Sequence, residues 1–156
     1  MEMKFRVLAI FLACATGSLA HAGPFSNFMD GLSGGLNDGG QGRNLDQTLA
    51  NVSAHLNRDV PITLDSDTRL DQVTSEPGHK LTYHYTLTSV ESKDIKRGEF
   101  LKLVRAPLQA RLCESNEMRS FLKRGVIISY QYRSKDGSPL GAARFKASDC
   151  GLQQVS

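Results

Sequence analysis

The sequence predicts a two-layer α+β domain: a four-stranded antiparallel sheet with helices on one face, in the order α-β-β-α-β-β. Three observations predict it. Two segments, Leu81–Thr88 and Val126–Arg133, alternate apolar and polar residues, the signature of half-buried strands. Each sits beside a turn signal, Glu76-Pro77-Gly78-His79 before the first and Asp136-Gly137 after the second. The stretches preceding the two hairpins carry apolar residues at helical spacing, and those stripes need a sheet face to bury against.

The first helix is expected from Asn44, a good N-cap residue, to about Asn57, with Leu45, Leu49, Val52 and Leu56 on one stripe. Val60-Pro61 stops it, because the residue before proline disfavours helical geometry. Ile62 and Leu64 begin extended structure, and Thr68–Ser75 reads as an edge strand with a bulge. In the next strand Leu81, Tyr83, Tyr85 and Leu87 share one face, and Thr82, His84, Thr86 and Thr88 the other. A second helix spans Asp94–Glu114, with Ile95, Leu101, Val104, Leu108 and Leu112 inward and Pro107 as a kink or restart. A short helix from Asn116 to Arg124 ends at Gly125, suited to a left-handed position. Val126, Ile128, Tyr130 and Tyr132 then alternate with Ser129, Gln131 and Arg133. Gly141, Ala143, Phe145 and Ala147 return as the partner strand, with Arg144 and Lys146 on its other side.

The N-terminus has the three-part layout of a secretory signal peptide: Lys4 and Arg6, an apolar run from Val7 to Ala20, and the small-x-small site Ala20-His21-Ala22. Residues 1–22 are read as that peptide, 23–44 as a flexible Gly-rich leader and 45–156 as one α+β domain. Cys14 is a poor lipid-attachment site, since Phe11 and Leu12 do not suit a lipobox. Cleavage removes Cys14 and leaves Cys113 and Cys150, an even pair in an oxidising compartment, which predicts a disulfide. Such a bridge closes a loop worth about 4 kcal/mol in the chain-entropy treatment. After the peptide no apolar run is long enough to span a bilayer. The expected location is therefore periplasmic or secreted.

Charge is distributed unevenly. Asp30–His79 holds eight acids and three bases, whereas Lys93–Arg124 holds nine bases and four acids. With no nucleic-acid-binding motif, the basic stretch argues for a protein partner or an anionic envelope ligand, not nucleic acid. No catalytic or cofactor motif is found. Asp65-Ser66-Asp67 with Asp71 and Glu76 superficially suggests a calcium loop, but Arg69 and Leu70 occupy positions that need a ligand and a glycine. The mature histidines, His55, His79 and His84, lack metal-ligand spacing. The pairs Tyr83/Tyr85 and Tyr130/Tyr132 share their strand faces with aliphatic residues and read as core. The other face, with His84, Arg133, Arg144 and Lys146 among threonines, Ser129 and Gln131, is the candidate partner-binding surface.

The run Asn57-Arg58-Asp59-Val60-Pro61, the spacing Asp65-x-x-Thr68-x-Leu70, Gly78, Leu81-x-Tyr83-x-Tyr85, Cys113, Gly125, Tyr130-x-Tyr132, Asp136-Gly137, Phe145 and Cys150 form a pattern. It resembles small exported bacterial proteins of the quorum-sensing-regulated virulence factor family of pseudomonads. The resemblance covers about Leu45–Cys150 and implies an α+β domain, export and a virulence association, with no catalytic residues to carry over. The expected function is thus that of an exported, non-enzymatic binding protein. An accessory or chaperone for secretion or envelope assembly is the first alternative, and an envelope-acting hydrolase the second.

Overall fold

The stretch between Leu87 and Val126 is mostly helical, and it decides how the two halves of the sheet join. The computed structural model describes residues 43–155; the predicted signal peptide and nearly all of the predicted leader lie outside them. In chain order the elements are α1 (Arg43–Leu56), β1 (Ile62–Thr63), β2 (Thr68–Glu76), β3 (Lys80–Leu87), α2 (Arg97–Glu114), α3 (Asn116–Lys123), β4 (Ile127–Ser134) and β5 (Pro139–Phe145). Short 3-10 turns occupy Ser92–Asp94 and Ala147–Cys150.

The α+β class holds, but the predicted four-stranded antiparallel sheet needs two corrections. The sheet has five strands in the order β1-β2-β3-β4-β5, because Ile62–Thr63 pairs antiparallel with β2. It is also mixed, because β3 and β4 run parallel, with Leu81 beside Ile128, Tyr83 beside Tyr130 and Tyr85 beside Tyr132. The connection explains the direction. A tight turn reverses a chain, whereas a helical crossover returns it to the same end of the sheet. The 18 residues of α2 span about 27 Å at helical rise. The eight residues of β3 span about 26 Å at strand rise. α2 therefore carries the chain back along the full length of β3, and β4 starts level with it.

Register assigns the faces. Leu81, Tyr83, Tyr85 and Leu87 of β3 align with Ile128, Tyr130, Tyr132 and Ser134 of β4, and Phe145, Ala143 and Gly141 of β5 continue the rows. On β2 the bulge at Asp71 resets the alternation, so that Leu70 and Val73 both fall on this side. The four tyrosines stack along it. Ring centroids are 5.5 Å apart for Tyr83–Tyr130, 6.2 Å for Tyr130–Tyr85 and 5.3 Å for Tyr85–Tyr132. Phe145 meets Tyr130 edge-on at 6.0 Å. Burial raises every tyrosine hydroxyl above its usual range, Tyr130 to about 12.

α2 packs on this face. Phe100, fully buried, sets its ring edge on Tyr132 at 5.1 Å. Leu101 lies so close to Gly141 that a Cβ there would meet Leu101 Cδ1 at 2.6 Å, and Gly141 has φ +135°. A glycine is required twice over at that position. Of the helix residues predicted inward, Val104 and Leu112 are buried and Leu101 and Leu108 half-buried, while Ile95 precedes the helix. Phe100, the largest buried residue of α2, stands outside the predicted stripe. The helix continues through Pro107 to Ser115, where extended backbone ends it. The Ser115 hydroxyl accepts the Met118 N–H and so caps α3. Gly125, φ +87°, ends α3 by donating to Leu122 C=O, and Val126 N–H reaches back to Phe121 C=O.

α1 lies along β2. It starts one residue before Asn44, the predicted cap. Leu49 and Val52 are buried, and the Asp46 carboxylate accepts N–H groups from Gly78 and His79 in the β2–β3 turn. Just past its last turn, the Asn57 amide donates to Val73 C=O at 2.7 Å and accepts Val73 N–H at 2.8 Å. β1 has already ended there, so a side chain completes the strand's hydrogen bonding. Cys113 at the end of α2 is joined to Cys150 in the turn after β5, with Cα atoms 5.3 Å apart.

Candidate functional site

The opposite face of the sheet carries the other half of each alternation. Cross-strand rows run Thr74–Thr82–Ser129–Arg144, then Gln72–His84–Gln131–Ala142, then Arg69–Thr86–Arg133. His84, Arg133 and Arg144 therefore share one surface, as the alternation predicts, while Lys146 lies just beyond the end of β5, exposed.

This face contains a shallow depression of about 230 Å³. Side-chain length explains it. Thr82, Ser129 and Ala142 are short and form the floor, while Glu76, Lys80, Ile127, Gln131 and Arg144 surround them. The Thr82 and Ser129 hydroxyls, adjacent in register, have no hydrogen-bond partner among the described residues. Lys80 and Glu76 are site residues that the sequence reading did not place here. The parity of Lys80 with Thr82 was the available signal. Glu76 gave none, because the bulge resets the alternation of β2 before it.

The acids on this face already have cations beside them. Asp71 contacts Arg69, and Glu76 lies 3.8 Å from Lys80. Arg133 and Arg144 form no ion pair among the described residues. The surplus charge of the platform is therefore positive.

His84 adds hydrogen bonding rather than charge at neutral pH. Burial and the Arg133 guanidinium lower its pKa, against the smaller opposing pull of Glu76, Asp71 and a hydrogen bond with Gln131. Its Nε2 sits 2.8 Å from the Thr74 hydroxyl. This imidazole–hydroxyl pair is the feature a hydrolase would need, but the two carboxylates that act on His84 are engaged elsewhere: Asp71 accepts from Thr86 and Arg69, and Glu76 lies beside Lys80. Basic residues of the helical layer behave differently. Arg119 donates to Cys113 C=O, and Arg105 lies 4.8 Å over the Phe145 ring while donating to Arg144 C=O.

Fold and site together define a small disulfide-closed α+β protein with one sheet face under helices and the other a polar, cation-bearing platform. Within that class the chain belongs to the family described as "Putative quorum-sensing-regulated virulence factor", whose model matches residues 40–151. A comparison with curated proteins gives no match. Among solved structures the chain is similar to "a putative secreted protein" from Pseudomonas aeruginosa, with TM-score 0.61, 23% identity, and coverage of 70% of this chain and 95% of that one. It is also similar to two type II secretion system pilotins. EpsS of Vibrio vulnificus gives TM-score 0.57 at 17% identity, covering 72% of this chain and 96% of that one. AspS of Vibrio cholerae gives 0.54 at 16%, covering 70% and 94%. At these identities the likeness is one of fold. No helix among the described residues is long and apolar enough to cross a membrane.

Proposed function

We propose that this protein is an exported, non-enzymatic accessory of secretion or envelope assembly that acts by binding a partner protein. The observation that carries the reading is the shared fold with two pilotins over nearly their whole length. It favours the accessory role over a general binding protein. The sheet platform, where Arg133 and Arg144 form no ion pair among the described residues, is the surface assigned to the partner, with His84 contributing hydrogen bonds and Lys146 extending the positive edge. Residues 1–22 direct export. Membership of the virulence-factor family gives the role its setting.

Deleting the gene and comparing the secreted proteins and the outer-membrane assemblies tests the proposal. Loss of exported substrates, restored by the intact gene, is the expected result. An unchanged secretome and unchanged assemblies would overturn it. The hydrolytic alternative rests on the Thr74–His84 pair alone. It predicts that Thr74→Ala abolishes rescue, whereas the binding role predicts that rescue survives.

A further inference from the structure

We propose that the depression between Arg144 and Lys80 is a carboxylate pocket, which reads an acidic side chain in an extended segment of the partner protein. The inference rests on the partner-binding reading above and adds the chemistry of what is bound. Three observations carry it. The donors converge: the Arg144 guanidinium and the Thr82 and Ser129 hydroxyls, which have no partner among the described residues, surround one basin with the Lys80 ammonium and the Gln131 amide. A planar guanidinium matches the two oxygens of a carboxylate, and charge-assisted hydrogen bonds of this kind are about twice as strong as neutral ones.

Size is the second observation. About 230 Å³ falls below the roughly 300–1,000 Å³ typical of small-molecule sites, but it accommodates one side chain. The surroundings are the third. Glu76 on the rim, beside Lys80, tolerates a singly charged carboxylate better than a doubly charged phosphate. Next to the basin the His84–Gln131 row and the exposed Arg133 continue as a flat polar surface, which suits an extended chain. The large exposed apolar residues, Ile62, Leu64, Leu103 and Val155, are absent from the basin lining, where half-buried Ile127 is the one large apolar side chain among polar and charged ones, a composition that does not favour a lipid surface.

The test is an NMR titration of the labelled exported protein with four probes: an acetylated, amidated octapeptide of alternating Glu and Thr, its Gln-for-Glu counterpart, inorganic phosphate, and phosphatidylglycerol vesicles. Saturable shifts at Thr82, Ser129 and Arg144 with the Glu peptide alone are expected. Arg144→Glu should weaken this binding at least tenfold. Ala142→Leu, which fills the basin without changing charge, should do the same, and Arg119→Glu should change it less than twofold. Equal binding of the Gln peptide or of phosphate, shifts centred on α2 and α3, or indifference to Ala142→Leu would overturn the pocket. The two proposals fail separately. If Arg144→Glu and Ala142→Leu still support full secretion and the Glu peptide does not bind, the pocket falls and the accessory role stands. If the peptide binds as described but gene deletion leaves secretion intact, the accessory role falls and the pocket stands.

Discussion

The two faces of the sheet come from the same strands, one residue out of step, yet they are organised by different physics. On the helix-covered face Tyr83, Tyr130, Tyr85 and Tyr132 stack in sequence, and Phe100 and Phe145 close the stack with their edges. Position is fixed there by contact, and a missing or added carbon is felt by its neighbours. On the open face Arg133 and Arg144 reach into solvent, and the short residues between long ones leave a basin. Substitution there should cost little stability and much recognition. The lesson is that stability and binding occupy alternate residues of β3, β4 and β5, so point changes can separate them.

The largest expected effect is on the covered face. Phe100→Ala empties a fully buried site beside Tyr132 and should cost about 3–5 kcal/mol in denaturant unfolding. A loss below about 1 kcal/mol would mean that the helical layer collapses onto the tyrosines and is not tightly packed. Gly141→Ala is next. Its Cβ would press on Leu101 from a backbone conformation that L-residues avoid, at a cost of about 1–3 kcal/mol. An unchanged melting temperature would show that Leu101 moves aside freely.

A pH comparison sharpens the contrast between the faces. The folded tyrosines hold their protons above the range of an exposed tyrosine, so their contribution to stability is complete below about pH 10 and is lost as pH rises toward their folded values. Tyrosinate absorbance should therefore stay low near pH 10 and appear together with unfolding. Any tyrosine that ionises separately, before unfolding, marks a ring open to solvent. His84 on the open face has the opposite dependence. Its pKa is lowered, so its contribution is complete above about pH 6.5 and declines as pH falls through the folded value. NMR titration of the imidazole carbons should place its midpoint below the ordinary histidine value of about 6.5.

The smallest stability effect belongs to the open face itself. Arg133→Glu and Arg144→Glu should each change unfolding free energy by no more than about 0.5 kcal/mol while strongly weakening partner capture. Arg119→Glu and Lys123→Glu should act mainly on the salt-dependent association rate. The reverse ranking in a binding assay would move the partner to the helices.

Much of this contrast was legible in the sequence. Alternation in Leu81–Leu87 and Val126–Arg133 gave the faces of β3 and β4, and Asp136-Gly137 gave the β4–β5 hairpin. Gly137 has φ +80°, and the Asp136 carboxylate is held well below the usual range by hydroxyls of Ser134 and Ser92. The direction of β4 relative to β3 was not legible, because alternation is the same in parallel and antiparallel pairs and only the path of α2 distinguishes them. Phe100 was missed because helical spacing can be counted from Leu101 as readily as from its neighbour. The basin was half legible. Parity found Arg144, Thr82, Ser129 and Gln131, but a depression arises from the lengths of cross-strand neighbours, and those depend on register.

The Asn57 side chain has a consequence beyond holding α1 in place. A strand edge with open N–H and C=O groups is a template on which another chain can add a strand, the first step toward aggregation. Over the second half of β2 that edge faces outward without β1, and at Val73 both groups are taken by one amide. One side chain of an adjoining turn thus works as a plug against self-templating. Its removal would open the edge to intermolecular pairing, so colloidal behaviour at high concentration depends here on a half-buried residue outside the partner surface.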